Sequence, residues 1–256
     1  MILTIDVGNT QLLGGLFKDD NLILQFRRIT SLGTSSDELG IFLRSAIREN
    51  GYDPFEVSEI VCCSVVPSLN HSLGSACLKY FKKEAFFVQT GIKTGLKIRY
   101  NNPKDVGADR IANAIGGISL YPNRDLIIID LGTATTFDAI TFDRNYLGGA
   151  IAPGLKMSML ALETGTAKLP SVEIICPEKS CGSSTIEAIQ SGLFNGHIGL
   201  IKEFIQRFES ECFNGRKPVV LGTGGFSRLF ESTGLFTEIQ PNLVLLGLKK
   251  ALELNT

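Results

Sequence analysis

"ILTIDVGNTQL", residues 2–12, runs an apolar strand into a carboxylate at Asp6 and then into a turn of small and polar residues, Gly8, Asn9 and Thr10. The same order returns in "LIIIDLGTATT", residues 126–136, with Asp130 and Gly132 in the places of Asp6 and Gly8. The echo continues past the turn. "LLGGLFKDDNLILQFR" reads as strand, polar turn at Lys18 to Asn21, strand; "TTFDAITFDRNYLGGAI" reads as strand, polar turn at Asp143 to Asn145, strand. Each copy predicts a three-stranded meander with an Asp-x-Gly bend after its first strand. The two bends stand about half a chain apart.

Helical periodicity follows each meander. Leu39, Phe42, Leu43, Ala46 and Ile47 fall at helical spacing, Ser35 and Glu38 at capping-box spacing, and Gly51 where that helix would end. "EIVCCSVV" reads as a buried strand, residues 69–81 as a helix with Leu69, Leu73, Ala76, Cys77 and Tyr80 inward, and "EAFFVQ" as another strand. In the second half, residues 154–163, 186–209, 226–231 and 242–254 read as helices and "KPVVLGTGG" as a strand ending in glycines. The expectation is an α/β fold of two tandem lobes, residues 1–117 and 118–256, each a mixed sheet with helices. The last helix is a candidate to pack back on the first lobe, and a cleft between the lobes is the expected place for a ligand.

Composition narrows the function. A net charge of -1, with both signs scattered along 256 residues, disfavours nucleic acid as a partner. Six cysteines without a C-x-x-C pair and only two histidines suggest neither a zinc site nor a disulfide framework, so a reducing cytoplasm is expected, with the cysteines as small core residues. His71 and His197 read as structural or exposed. No run of about 18 apolar residues predicts a membrane span, and no basic segment precedes the first apolar stretch.

An Asp-x-Gly bend at the end of a strand has a chemical use. Glycine lets backbone N–H groups turn toward an anion, and Asn or Thr adds donors. The neighbouring carboxylate would repel a bare phosphate, so a cation between them is required; Mg²⁺ held through water by one or two carboxylates and by substrate phosphates is the usual solution. Two bends, one per lobe, would then hold the phosphate tail of one nucleotide. The chain has no G-x-x-x-x-G-K-[ST], which excludes a P-loop. "NNPKDVGADRIANAIGG", residues 101–117, reads as a loop entering a helix, with Asp109 in the first turn and Ile111, Ala114, Ile115 and Ile118 on the buried face.

Taken together, these segments resemble the type III pantothenate kinases of the actin and sugar-kinase superfamily. "DVGNT" at 6–10 is similar to that family's first phosphate motif, "DLGTATT" at 130–136 to its second, "GTGG" at 222–225 to its adenosine motif and "GADR" at 107–110 to its pantothenate motif. The matches keep the family's order and span most of the chain. The resemblance implies two actin-like (ribonuclease H-like) lobes and transfer of the γ-phosphoryl group of ATP to the primary hydroxyl of pantothenate, the first step of coenzyme A synthesis.

Site residues follow from the same resemblance. Asp109 is implied as the general base, although an aspartate in a first helical turn also complements the helix dipole. Asp6, Val7, Gly8, Asn9, Thr10, Gln11, Leu12 and Leu13 are implied as the ATP phosphate loop, Thr133, Gly224 and Gly225 as further ATP contacts, and Asp6 as the group that positions Mg²⁺ through water. Asp130 matches a monovalent-cation position, potassium or ammonium. Tyr100, Gly107, Ala108, Asp109 and Arg110 match pantothenate contacts; Arg110 would hold substrate, steady the transferring group, or form a surface ion pair. Thr185 matches a contact made across a homodimer, while Ser184 or Thr185 serves equally well as a helix N-cap. Two other readings stay open: a kinase of the same fold for another small hydroxylated substrate, which "GADR" disfavours, and a non-catalytic nucleotide-binding regulator, which the joint presence of Asp6, Asp109 and Asp130 disfavours.

Overall fold

A computed structural model describes residues Met1–Thr256, which divide into two compact units. The first comprises Met1–Leu96, Asn101–Ser119 and Leu243–Thr256; the second comprises Lys97–Tyr100 and Leu120–Asn242.

In the first unit, β1 (Ile2–Val7), β2 (Gln11–Lys18) and β3 (Asn21–Ile29) form the expected meander, followed by α1 (Ser36–Glu49), β4 (Glu59–Ser64), α2 (Pro67–Phe81) and β5 (Ala85–Phe87). The sheet order is β3-β2-β1-β4-β5. β1 is antiparallel to β2 and parallel to β4, so it is paired on both edges and read as nearly continuous apolar sequence. Leu3, Ile5 and Val7 join Leu39, Leu43 and Ile47 of α1 and Leu69, Leu73 and Ala76 of α2 in one core. α1 begins at a complete capping box: the Ser35 hydroxyl accepts from the Glu38 N–H at 3.2 Å, and the Glu38 carboxylate accepts from the Ser35 N–H at 2.8 Å. Gly51 lies just past its end at φ +85°.

The chain then forms β6 (Lys97–Ile98), which belongs to the second unit, and α3 (Ala108–Leu120), which belongs to the first. α3 is buried continuously from Arg110 to Gly117, more than one face of a helix, whereas Ile118 is only partly covered.

The second unit holds β7 (Leu126–Leu131), β8 (Ala134–Ile140), β9 (Asn145–Pro153), α4 (Leu155–Gly165), α5 (Thr185–Phe213), β10 (Val219–Thr223) and β11 (Glu238–Ile239). Its order, β11-β10-β7-β8-β9-β6, repeats the first sheet: two antiparallel neighbours on one side of the central strand, two parallel ones on the other. β6 is an addition beside β9. Even the irregularity recurs, because register shifts occur at Leu16/Phe17 in β2 and at Ala139/Ile140 in β8, the second strand of each meander. Ile127, Ile129 and Leu131 pack with α4 and α5 residues Met159, Leu193 and Ile201.

α6 (Leu243–Glu253) follows β11 in sequence and belongs to the first unit, where it packs on β1 and β4. It covers the face of β1 opposite α1 and α2. Thr4 and Gly15 are cross-strand partners on that face; Leu245 lies over Gly15, where a Cβ would stand 2.7 Å from its Cδ1, and the Thr4 hydroxyl donates to the Gly15 carbonyl at 3.1 Å.

Several local expectations need correction. Cys176 and Cys181 are exposed and Cys212 is partly so; only Cys62, Cys63 and Cys77 are core residues. Cys176 and Cys181 lie in the loop between α4 and α5. Tyr80 packs against the core as expected but is only half-buried, and Phe81 beside it is buried at the end of α2. Residues Ser227–Thr233 form a 3₁₀ helix, not an α-helix, and α5 runs to Phe213, beyond its expected end.

Candidate active site

Strand periodicity decides where Asp6 points. Leu3, Ile5 and Val7 occupy the α1/α2 face, so Asp6 shares the opposite face with Thr4. In the parallel pairing of β1 and β4, Asp6 stands opposite Cys63. The Cys63 thiol donates to Asp6 Oδ1 at 3.2 Å. Beyond Asp6 the chain turns tightly: the Gly8 N–H donates to the Gln11 carbonyl at 3.0 Å, and the Thr30 hydroxyl donates to the Gly8 carbonyl at 2.7 Å. Asn9, Thr10 and Gln11 are exposed at this turn, Leu13 is half-buried, and the side chains of Val7 and Leu12 are buried in the core.

Asp109 opens α3, half-buried, its Oδ1 accepting from the Arg110 N–H at 2.8 Å. Burial raises its carboxyl above the ordinary carboxylate value, and the Arg110 N–H and guanidinium only partly oppose that shift. Gly107 leaves the room Asp109 occupies, because a Cβ there would stand 2.5 Å from Asp109 Oδ1. Ala108 is half-buried between them. Arg110 is 6% exposed, which excludes the surface ion pair. The Cys63 thiol is pushed up first by burial, then by the nearby Asp6 and Asp109 charges, so both carboxylates stand within electrostatic reach of one sulfur. Cys63 escaped the sequence reading because local sequence does not reveal which residue of β4 a parallel register places against Asp6.

A second cluster forms in the other unit. Asp130 is the last residue but one of β7, opposite Thr223 of β10. Gly224 follows at φ +87°, and a Cβ on it would stand 2.3 Å from Asp130 Oδ1. A Cβ on Gly132 would lie 3.1 Å from the same oxygen. The bend carrying Thr133 is therefore packed against Asp130 and Gly224, with Thr133 and Gly225 exposed beside it. Elsewhere in this unit, Tyr100 lies against Gly148, with its ring 6.5 Å from that of Tyr146. The Tyr146 hydroxyl donates to buried Asp138. Ser184, not Thr185, caps α5: its hydroxyl accepts from the Glu187 N–H at 3.3 Å, leaving Thr185 exposed as the first helical residue.

His197 is buried, its Nδ1 3.0 Å from the Leu193 carbonyl, and burial lowers its pKa; His71 is exposed. No three His, Cys, Asp or Glu side chains gather into a protein-only metal cage. Asp6 and Asp130 each offer hard carboxylate oxygens beside a tight turn, a donor set that suits a cation keeping water or substrate oxygens in its shell.

Residues 2–207 match the family model described as type III pantothenate kinase. A type III pantothenate kinase of Legionella pneumophila (strain Corby) is 54% identical over 256 residues, covering 100% of both chains. Among solved structures, a Campylobacter jejuni protein described as of a Baf family of transcriptional activators superposes with a TM-score of 0.62 at 19% identity, covering 98% of this chain and 97% of its own. A Sinorhizobium meliloti protein described as a 2-dehydro-3-deoxygalactonokinase gives 0.60 at 11% identity, covering 99% and 96%. The likeness to these two structures is one of fold alone.

Proposed function

The chain belongs to the type III pantothenate kinase family, and on that premise we propose that Asp109 is the general base of an ATP-dependent phosphorylation of pantothenate. The reaction is the first step of coenzyme A synthesis. The observation that carries the role of Asp109 is its place: a half-buried carboxyl with a raised pKa, at the start of a buried helix, in the same unit as Asp6. A carboxylate within hydrogen-bond reach of the pantothenate hydroxyl orients it and takes its proton as the phosphoryl group is transferred. Mg²⁺, when bound, supplies charge to offset the β- and γ-phosphates. Asp6 would hold that ion through water, and the exposed turn at Asn9 and Thr10 would meet the phosphates. Asp130 holds a monovalent cation, potassium or ammonium, and Thr133, Gly224 and Gly225 approach the nucleotide. Tyr100, Gly107, Ala108 and Arg110 bind pantothenate, with the Arg110 guanidinium suited to an anionic group.

Thr185 completes the substrate pocket of a second copy in a homodimer. Exposed Ile151, Met157, Leu160, Leu162 and Ile186, on β9, α4 and the first turn of α5, supply apolar surface for that pairing. Six free cysteines fit a cytoplasmic protein, and no helix is long and apolar enough to cross a membrane. The direct test supplies purified protein with ATP, Mg²⁺ and potassium and follows formation of 4′-phosphopantothenate. Omitting potassium is expected to cut turnover, with ammonium restoring it. Turnover on a panel of sugars but not on pantothenate would overturn the assignment.

A further inference from the structure

We propose that Cys63 is a positioning residue for phosphoryl transfer: its thiol fixes the Asp6 carboxylate, so that Asp6 is presented to the metal-bound nucleotide. This rests on reading Asp6 as the residue that positions Mg²⁺. Cys62 and Cys63 are adjacent in β4 and both fully buried, yet they face opposite ways. Cys62 joins the apolar core and neighbours Cys77. Cys63 faces two carboxylates instead. A buried small side chain beside ionised oxygens is costly unless it offers them a donor, and the thiol offers its single hydrogen to Asp6 Oδ1 at 3.2 Å. The contact is set by the backbone, since Asp6 and Cys63 are register partners in adjacent strands paired on both edges. Neither Cα has freedom to drift, so the thiol fixes the carboxylate's rotation.

Groups that orient a metal-holding carboxylate typically change metal affinity about 10- to 100-fold when removed, and a thiol is a weak donor, so the lower end is expected. The experiment compares the parent protein with Cys63→Ala, Cys63→Ser and Asp6→Asn. Calorimetry measures affinity for a non-hydrolysable ATP analogue with and without Mg²⁺, and steady-state assays measure the Mg²⁺ concentration for half-maximal turnover. Cys63→Ala is expected to reduce the Mg²⁺-dependent gain in nucleotide affinity about tenfold and to raise the half-maximal Mg²⁺ concentration similarly. Metal-free nucleotide affinity and KM for pantothenate should stay unchanged. Cys63→Ser, which keeps a donor, should retain the parent's Mg²⁺ dependence, and Asp6→Asn should lose it. Cys63→Val repeats the donor deletion at a closer volume if the alanine variant does not fold. Parent-like Mg²⁺ dependence in the donor-deleted protein, or failure of serine to preserve it, overturns the role of Cys63 while Asp6→Asn still reports on the metal. If Asp6→Asn itself leaves Mg²⁺ dependence intact, the reading of Asp6 falls and that of Cys63 falls with it.

Discussion

Gly247 of α6 lies directly against the backbone of α3: a Cβ on it would stand 1.7 Å from the Ala112 carbonyl oxygen. Gly116 answers from the other helix, where a Cβ would stand 2.7 Å from the Leu243 carbonyl oxygen. The close approach is helix backbone to helix backbone, so no flexible side chain can yield. Gly247→Ala should therefore push α6 from α3, at a cost near the upper end of overpacking, about 3 kcal/mol. Because α3 carries Asp109 and Arg110 at its start, turnover should fall together with the urea midpoint. A midpoint equal to the parent's would show that the helices part without cost.

Asp109→Asn separates chemistry from stability. Losing the base should lower kcat by about 10²- to 10⁴-fold. Stability should move the other way. Burial raises the Asp109 carboxyl above the ordinary carboxylate range, so the folded chain keeps that proton to higher pH than the unfolded chain does. Below the unfolded value both states are protonated and the group contributes nothing. As pH rises from the unfolded value toward the folded one, the unfolded chain releases its proton first, and the folded state loses stability relative to it until its own buried carboxyl ionises. The asparagine variant should thus be more stable than the parent at pH 7 to 8, with the gain vanishing near pH 4. Urea unfolding across that range checks it; a gain that grows toward acid would reverse the assigned shift.

The repeated meander was legible because its signals are local: alternating apolar residues, a polar turn, an Asp-x-Gly bend. Both sheets follow it strand for strand. The capping box of α1 was legible for the same reason, since Ser35 and Glu38 are three residues apart. What local sequence could not carry was anything set by distant pairing. Cys63 meets Asp6 only through the parallel register of β1 and β4. β6 and β11 are two-residue strands that exist only because β9 and β10 offer them an edge. Gly148 meets the Tyr100 ring from 48 residues away, a contact that no local pattern carries.

Gly148 should therefore control Tyr100. It sits at φ +117°, and a Cβ would come 3.1 Å from the Tyr100 ring. Gly148→Ala adds backbone strain and moves the ring, which is free to shift more easily than a backbone. KM for pantothenate should rise several-fold, roughly the effect of about 1 kcal/mol of lost binding, while KM for ATP stays constant. Equal changes in both constants would point to general damage to the second unit's sheet and not to the substrate contact.

Gly224 offers the matching test on the nucleotide side. Its φ of +87° disfavours any side chain, and a Cβ would stand 2.3 Å from Asp130 Oδ1 and 2.7 Å from the Leu131 backbone nitrogen. The left-handed conformation alone costs about 1–2 kcal/mol for alanine. Leu131 is backbone in a buried central strand and cannot yield, so the Asp130 carboxylate must rotate away. If Asp130 holds a monovalent cation beside the phosphates, Gly224→Ala should weaken potassium activation and raise KM for ATP together, with KM for pantothenate unaffected at saturating ATP. Potassium titrations of the variant and the parent decide it: superimposable curves in a folded variant would separate Asp130 from the cation.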